Sequence, residues 1–186
     1  MFAGHFGLAA SVKGANKQVP VWAFMISTQL LDLAFMVFYV LGLENYSEPI
    51  QGTPYYSFQI GYSHSLLGAL FLSLLAGWIA ARFWGKLGGI IIGLVSFSHW
   101  ILDLLVHVPD LPILPGNIGN LPYLGLGLWR YPLVAMTLEG ILVGAGVILY
   151  SRYAIDASGK IWNKKTFVKI TLMTTFLIGT YIFGFF

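Results

Sequence analysis

The chain holds four histidines and seven acidic residues in 186 positions, and several of them are regularly placed. In "SHWILDLLVH", residues 98–107, His99, Asp103 and His107 recur every fourth position. On a helix this spacing lines side chains along one face, about 6 Å apart per step. Two imidazoles and a carboxylate in line supply the nitrogen and oxygen donors that zinc and similar divalent ions take. Asp32 in "QLLDLAF", His64 in "YSHSLLGAL" and Glu139 in "MTLEGIL" are likewise ionisable residues inside apolar stretches. Each such residue costs about 2.5–3.5 kcal/mol in hydrocarbon on the mildest insertion scale. An ionised carboxylate there needs a partner.

The surroundings are those of a membrane protein. Only 9% of residues are charged and 58% are hydrophobic, with a mean hydropathy of +0.79; a soluble domain carries about 25% charged residues. The fold class expected is all-α: a polytopic membrane helix bundle forming one domain over residues 1–186. Five spans are predicted at about 20–43, 57–82, 87–107, 128–150 and 166–186, preceded by a short N-terminal half-helix. Each is long enough for a hydrocarbon core of about 30 Å. With no cysteine there is no disulfide and no thiolate metal site. The pI near 9.1 is explained by topology rather than by nucleic acid, because the basic residues cluster between apolar segments. Nine of the ten Lys and Arg residues fall on one side of the predicted spans, Arg130 alone on the other. The positive-inside rule then places the N-terminus in the cytoplasm and the C-terminus outside. No cleavable signal peptide is expected in "MFAGHFGLAASV", which lacks a basic n-region. The proline- and glycine-rich connection 108–127 is not helical, and it is expected to fold over the outer mouth.

Helical rise gives depth. Counted from the outer ends of their spans, Asp32, His64, His99, Asp103 and Glu139 all lie in one band roughly 6–17 Å deep. No Lys or Arg is placed to neutralise the three carboxylates, and a bound divalent metal would do so. Helix packing supplies other partners: His64 at a close crossing beside Ser63, Ser65 and Gly68, a His99–Asp103 pair, Asp32 with Thr28 or Gln29, and a protonated Glu139. His107 falls nearer the outer surface, at the entrance. For His5, spacing leans toward a helix lying flat on the cytoplasmic face; a re-entrant half-helix would lift it about 12 Å, to the lower edge of the band.

The ordered motifs Gly4-His5, Asp32, His64 in "YSHSLLGAL", His99 and Asp103 in "FSHWILDLL", and Leu138-Glu139 resemble a known pattern. It is that of the bacterial inner-membrane family of LexA-regulated, membrane-bound metal-dependent hydrolases. The likeness covers residues 4–139. It departs where the family's Asp-x-Asp-His is reduced to Asp32 and where its His-Arg before the Thr-His motif is absent. The resemblance implies an inner-membrane hydrolase with His5, Asp32, His64, His99 and Asp103 as metal ligands. Zinc would be the metal, and Glu139 a general base or a supporting group. A site at the depth of the polar band favours a lipid or another amphipathic ester as substrate. Two other functions fit the sequence. One is a non-catalytic membrane subunit of a larger complex, with a structural metal or pigment site. The other is a small transporter, against which the lack of an internal repeat weighs.

Overall fold

The computed structural model describes residues 1–14, 16–53 and 55–184. Its helices are α1 (Phe2–Val12), α2 (Val21–Thr28), α3 (Leu30–Val40), α4 (Leu66–Val106), α5 (Pro132–Ala157) and α6 (Lys164–Phe183). Two strands, β1 (Asn45–Pro49) and β2 (Tyr56–Gln59), pair antiparallel, with Tyr46 opposite Phe58. Three helices, α4, α5 and α6, are long and apolar enough to cross a membrane, and the α2–α3 pair makes a fourth if its 49° bend is counted as one span. The purely helical chain expected from sequence is therefore corrected by one small hairpin.

Three further departures have physical causes. The predicted first span breaks at Thr28–Gln29, where Gln29 leaves helical geometry and the polar run Ser27-Thr28-Gln29 replaces apolar residues. The predicted second span begins nine residues late. Residues 56–59 pair with β1, and Ser65, in extended geometry, caps α4 by accepting a hydrogen bond from Gly68 N at 3.1 Å. His64 therefore lies just before a helix rather than inside one. The predicted second and third spans are two arms of α4, which leaves helical geometry at Trp84 and Gly85 (φ +69°). Gly77 and Gly93, about 24 Å apart on a straight helix, lie backbone to backbone, so the arms run antiparallel. The fourth span starts at Pro132, after a 3-10 turn at Leu128–Arg130. The predicted end of the fifth span, residue 186, lies outside the described residues.

The 108–127 connection is ordered by its own hydrogen bonds. Its carbonyls at Pro112 and Ile113 accept from Leu66 N and Leu67 N, which are orphan donors at the start of a helix. At the other end of the segment, Gly127 N bonds His107 O at 2.7 Å. Both arms of α4 are thereby tied together at one end of the bundle.

Helix α1 does not lie on a surface. It packs against α5, α2, α6 and α4, and Ala3, Ala9 and Ala10 are fully buried. Small residues make this possible: a Cβ on Gly146 would stand 2.6 Å from Gly7 O, so the α1 and α5 backbones touch. The fit carries His5 into the interior.

Candidate metal centre

Four elements converge on one cluster. The second arm of α4 presents His99 and Asp103 from consecutive turns, and both are buried. The break between α2 and α3 puts Asp32 in the first turn of α3. The segment before α4 supplies His64, and α1 supplies His5.

Hydrogen bonds decide which way the imidazoles face. His99 Nδ1 lies 2.6 Å from Thr28 O, a carbonyl at the end of α2 and so without a helical partner there. A carbonyl only accepts, so Nδ1 carries the proton. Ser63 Oγ donates its single proton to Glu44 Oε2 at 2.7 Å, so it accepts from His64 Nδ1 at 2.8 Å. His107 Nδ1 donates to Asp110 Oδ1 at 2.9 Å. In all three rings Nε2 is left to face the cluster. Such outer partners are what orient metal-ligating histidines.

The Nε2 atoms meet carboxylate oxygens. His64 Nε2 is 3.5 Å from Asp32 Oδ1 and 3.5 Å from Asp103 Oδ2. His99 Nε2 is 3.5 Å from Asp32 Oδ1 and 3.0 Å from Asp103 Oδ2. In a neutral ring, Nε2 opposite a donating Nδ1 is an acceptor, so acceptors here face acceptors. His99 Nε2 is accordingly a buried atom without a hydrogen bond among the described residues. Ligands about 2.0–2.2 Å from a tetrahedral ion stand about 3.3–3.6 Å from one another. Three of these four separations fall in that range, and Asp32, His64 and His99 form one close triad whose ligand atoms lie within 4.8 Å of one another. These buried His and Asp groups can hold a metal ion.

His5 stands beside this ring. It stacks on His99 with centroids 3.8 Å apart, and its Nε2 is 3.2 Å from Asp103 Oδ1. The same oxygen accepts from the Met1 main-chain nitrogen at 3.1 Å. His5 thus faces the opposite oxygen of Asp103 from His64 and His99, and it forms a second close triad with His99 and Asp103. Thr28 Oγ1 donates to His5 O at 3.2 Å, so the α2–α3 break fixes α1 as well as α4. Glu139 accepts from Gly4 N at 2.9 Å, where a carboxylate suits the positive end of a helix.

His107, expected at the entrance, is buried; its Nε2 is 3.8 Å from Asp103 Oδ2 and its ring 4.1 Å from that of Trp129. Glu44 and Asp110 were not singled out from the sequence, and Ser63 was read only as marking a close helix crossing beside His64. The only signal was their closeness to a histidine: His107-x-x-Asp110 and Ser63-His64 are adjacent in sequence, whereas Glu44 lies nineteen residues from Ser63.

Asp32, His64, Asp103, His5, His107 and Glu139 all line a cavity of about 420 Å³. Its other walls are largely aromatic, with Phe35, Tyr46, Tyr55, Phe58 and Trp129. A pocket of that size, apolar with a few convergent polar groups, suits a small ligand. Tyr55 stacks on Trp129 at 5.2 Å. Burial, reinforced by the Glu139 carboxylate, pushes the Tyr55 phenol up to about 12, so it remains a proton donor.

No family model, curated protein or solved structure matches this chain.

Proposed function

We propose that the protein is a metal-dependent hydrolase of the bacterial inner membrane, acting on a lipid or another amphipathic ester. The carrying observation is the ring of His64, His99, Asp32 and Asp103, with Nε2-to-oxygen distances of 3.0–3.5 Å, open to a cavity. Zinc suits this nitrogen and oxygen donor set and these separations. Counting the arms of α4 separately and α2–α3 as one gives five spans. The Lys and Arg distribution then puts the N-terminus in the cytoplasm and the cavity toward the outer face. Lipid bilayer is the medium; other membrane subunits are candidate partners.

When bound, the ion would polarise the ester and lower the pKa of its water. The chain's own groups do the rest. Ser63, Thr28 and Asp110 hold three imidazoles in the tautomer that directs Nε2 inward. His5 meets the outer oxygen of Asp103 and steadies it. Glu139 takes the proton of the attacking water on its carboxylate at the cavity wall and returns it to the leaving alcohol oxygen, while Tyr55 keeps its proton and donates a hydrogen bond to an oxygen of the bound ester. Phe35, Phe58 and Trp129 keep bulk water from the ring.

The test is metal content and turnover together, on detergent-purified protein with p-nitrophenyl butyrate and a short-chain phospholipid. Glu139→Gln keeps an oxygen for Gly4 N, so it should retain metal and lose turnover. Wild-type protein that holds metal yet cleaves neither ester nor phosphoester would leave a structural metal site and refute the hydrolase.

A further inference from the structure

Among the described residues, the cavity is not closed on the side of α3. Met36, one turn beyond Asp32, lines the cavity and is 52% exposed on the outer surface of the bundle. Phe2 does the same from α1, at 42%. Gly184, just after α6, is a third lining residue and brings no side chain to the wall. Helix α3 packs on α4 and α2, while α6 packs on α5 and α1, and among the described residues α3 and α6 share no packed interface; α3 borders the cavity through Asp32, Phe35 and Met36, and Gly184, just past α6, borders it from the other side. Among the described residues, a lateral opening thus lies between Met36 and Gly184.

The rims of this gap are apolar. On α3, Leu33, Val37 and Val40 are exposed; on α6, Ile182 and Phe183 are exposed. The floor is the opposite: the Asp32 side chain is 41% exposed into the opening, whereas that of Asp103 behind it is 3% exposed. The gap thus runs from a hydrocarbon-facing rim to charged groups within a few residues. The molecule that matches both ends is an amphiphile, its chain in the rim and its polar linkage at the ring.

We infer that the gap bounded by Phe2, Met36 and Gly184 is a lateral portal that admits one acyl chain of a membrane glycerolipid, its ester end presented to Asp32. This rests on the membrane reading above and names where that substrate enters. Met36 is the gate: an unbranched thioether side chain adapts to an irregular chain, and a bulkier residue there closes the opening.

The test uses the full-length protein in phosphatidylethanolamine–phosphatidylglycerol vesicles containing a trace of phospholipid with a diazirine in its acyl chain. After illumination, crosslinks are mapped by mass spectrometry. Label should concentrate on residues 2–5 and 32–36 and be lost when excess short-chain phospholipid competes. Met36→Trp should lose this competed label while retaining wild-type metal content and the uncompeted label around Val40 and Leu133. Met36→Ala, which widens the gap, should raise it severalfold. Label at 32–36 that is no greater than at Val40, or is not competed, or is indifferent to both variants, overturns the portal. Protein-to-protein crosslinks at Met36 in its place would assign the gap to a partner helix and overturn it too. Metal content is read separately, so a chain that takes the lipid but binds no metal defeats the hydrolase and leaves the portal standing.

Discussion

Two buried polar clusters sit at opposite ends of α1, and they are built on different rules. At the C-terminal end, Lys13 is buried and its ammonium donates to the carbonyls of Asn16, Lys17 and Val19 at 3.1, 3.2 and 2.8 Å. Its three donors meet three acceptors. The Asn16 side chain also accepts from Gln18 N and Val19 N, and the Lys13 ammonium lies 4.5 Å from the centre of the Tyr153 ring. The cluster closes the turn into α2, and among the described residues the ammonium's three donors are all taken up by backbone carbonyls. At the N-terminal end, His64 and His99 point acceptors at the acceptors of Asp32 and Asp103. Apart from the Met1 nitrogen on Asp103 Oδ1, no Lys or Arg among the described residues pairs with that cluster, and it borders a cavity. The two clusters thus differ in kind: one completes the backbone's hydrogen bonds, and the other gathers donor atoms that could hold a cation.

Variants separate the two, and the largest effect on metal belongs to Asp103. Its two oxygens face His64 and His99 on one side and His5 on the other. Asp103→Asn should abolish stoichiometric metal, measured by elemental analysis of purified protein. The next effect is indirect. Ser63→Ala removes the acceptor that orients His64 and should weaken metal affinity about 10–100-fold, the usual cost of losing an outer partner. Titration with a competing chelator reads that shift. Tyr55→Phe should lower turnover and leave metal content unchanged, because the phenol lines the cavity without joining the ring. Its high pKa, about 12, means that no limb of the pH–rate profile below that value belongs to Tyr55. The smallest effect on metal is at the other cluster. Lys13→Met strands three carbonyls and should cost about 1–3 kcal/mol of stability, seen as a lower midpoint in thermal unfolding, with metal per folded chain unaltered. Metal loss in Lys13→Met would erase the distinction between the clusters.

What the sequence revealed follows from how local each signal is. The i, i+4 placing of His99 and Asp103 is a helical property, so their shared face was legible. Apolar runs marked the spans, because length and hydropathy are also local. The break at Thr28–Gln29 was not legible, since "VWAFMISTQLLDLAF" is apolar on both sides and its three polar residues suit a helix as well as a bend. Yet this break presents the Thr28 carbonyl to His99 and turns Asp32 inward. The β1–β2 hairpin was missed because Tyr46 and Phe58, whose rings are 5.2 Å apart, pair across a connection that also reads as an ordinary loop. His5 could not be placed from spacing. Its position depends on contact between Gly7 and Gly146, which lie 139 residues apart in sequence. Glu44 reaches Ser63 by the same kind of long-range contact.

The most direct measurement is the divalent-metal content of the detergent-purified wild type beside that of Asp103→Asn, with X-ray absorption at the edge of whatever metal is found. The result expected is about one ion per chain in the wild type, ligated by nitrogen and oxygen at about 2.0–2.2 Å with imidazole scattering beyond, and none in Asp103→Asn. Wild-type protein with no more metal than the variant would contradict the metal centre. It would reduce the ring of His64, His99, Asp32 and Asp103 to a proton-sharing packing cluster, of the same kind as the one around Lys13.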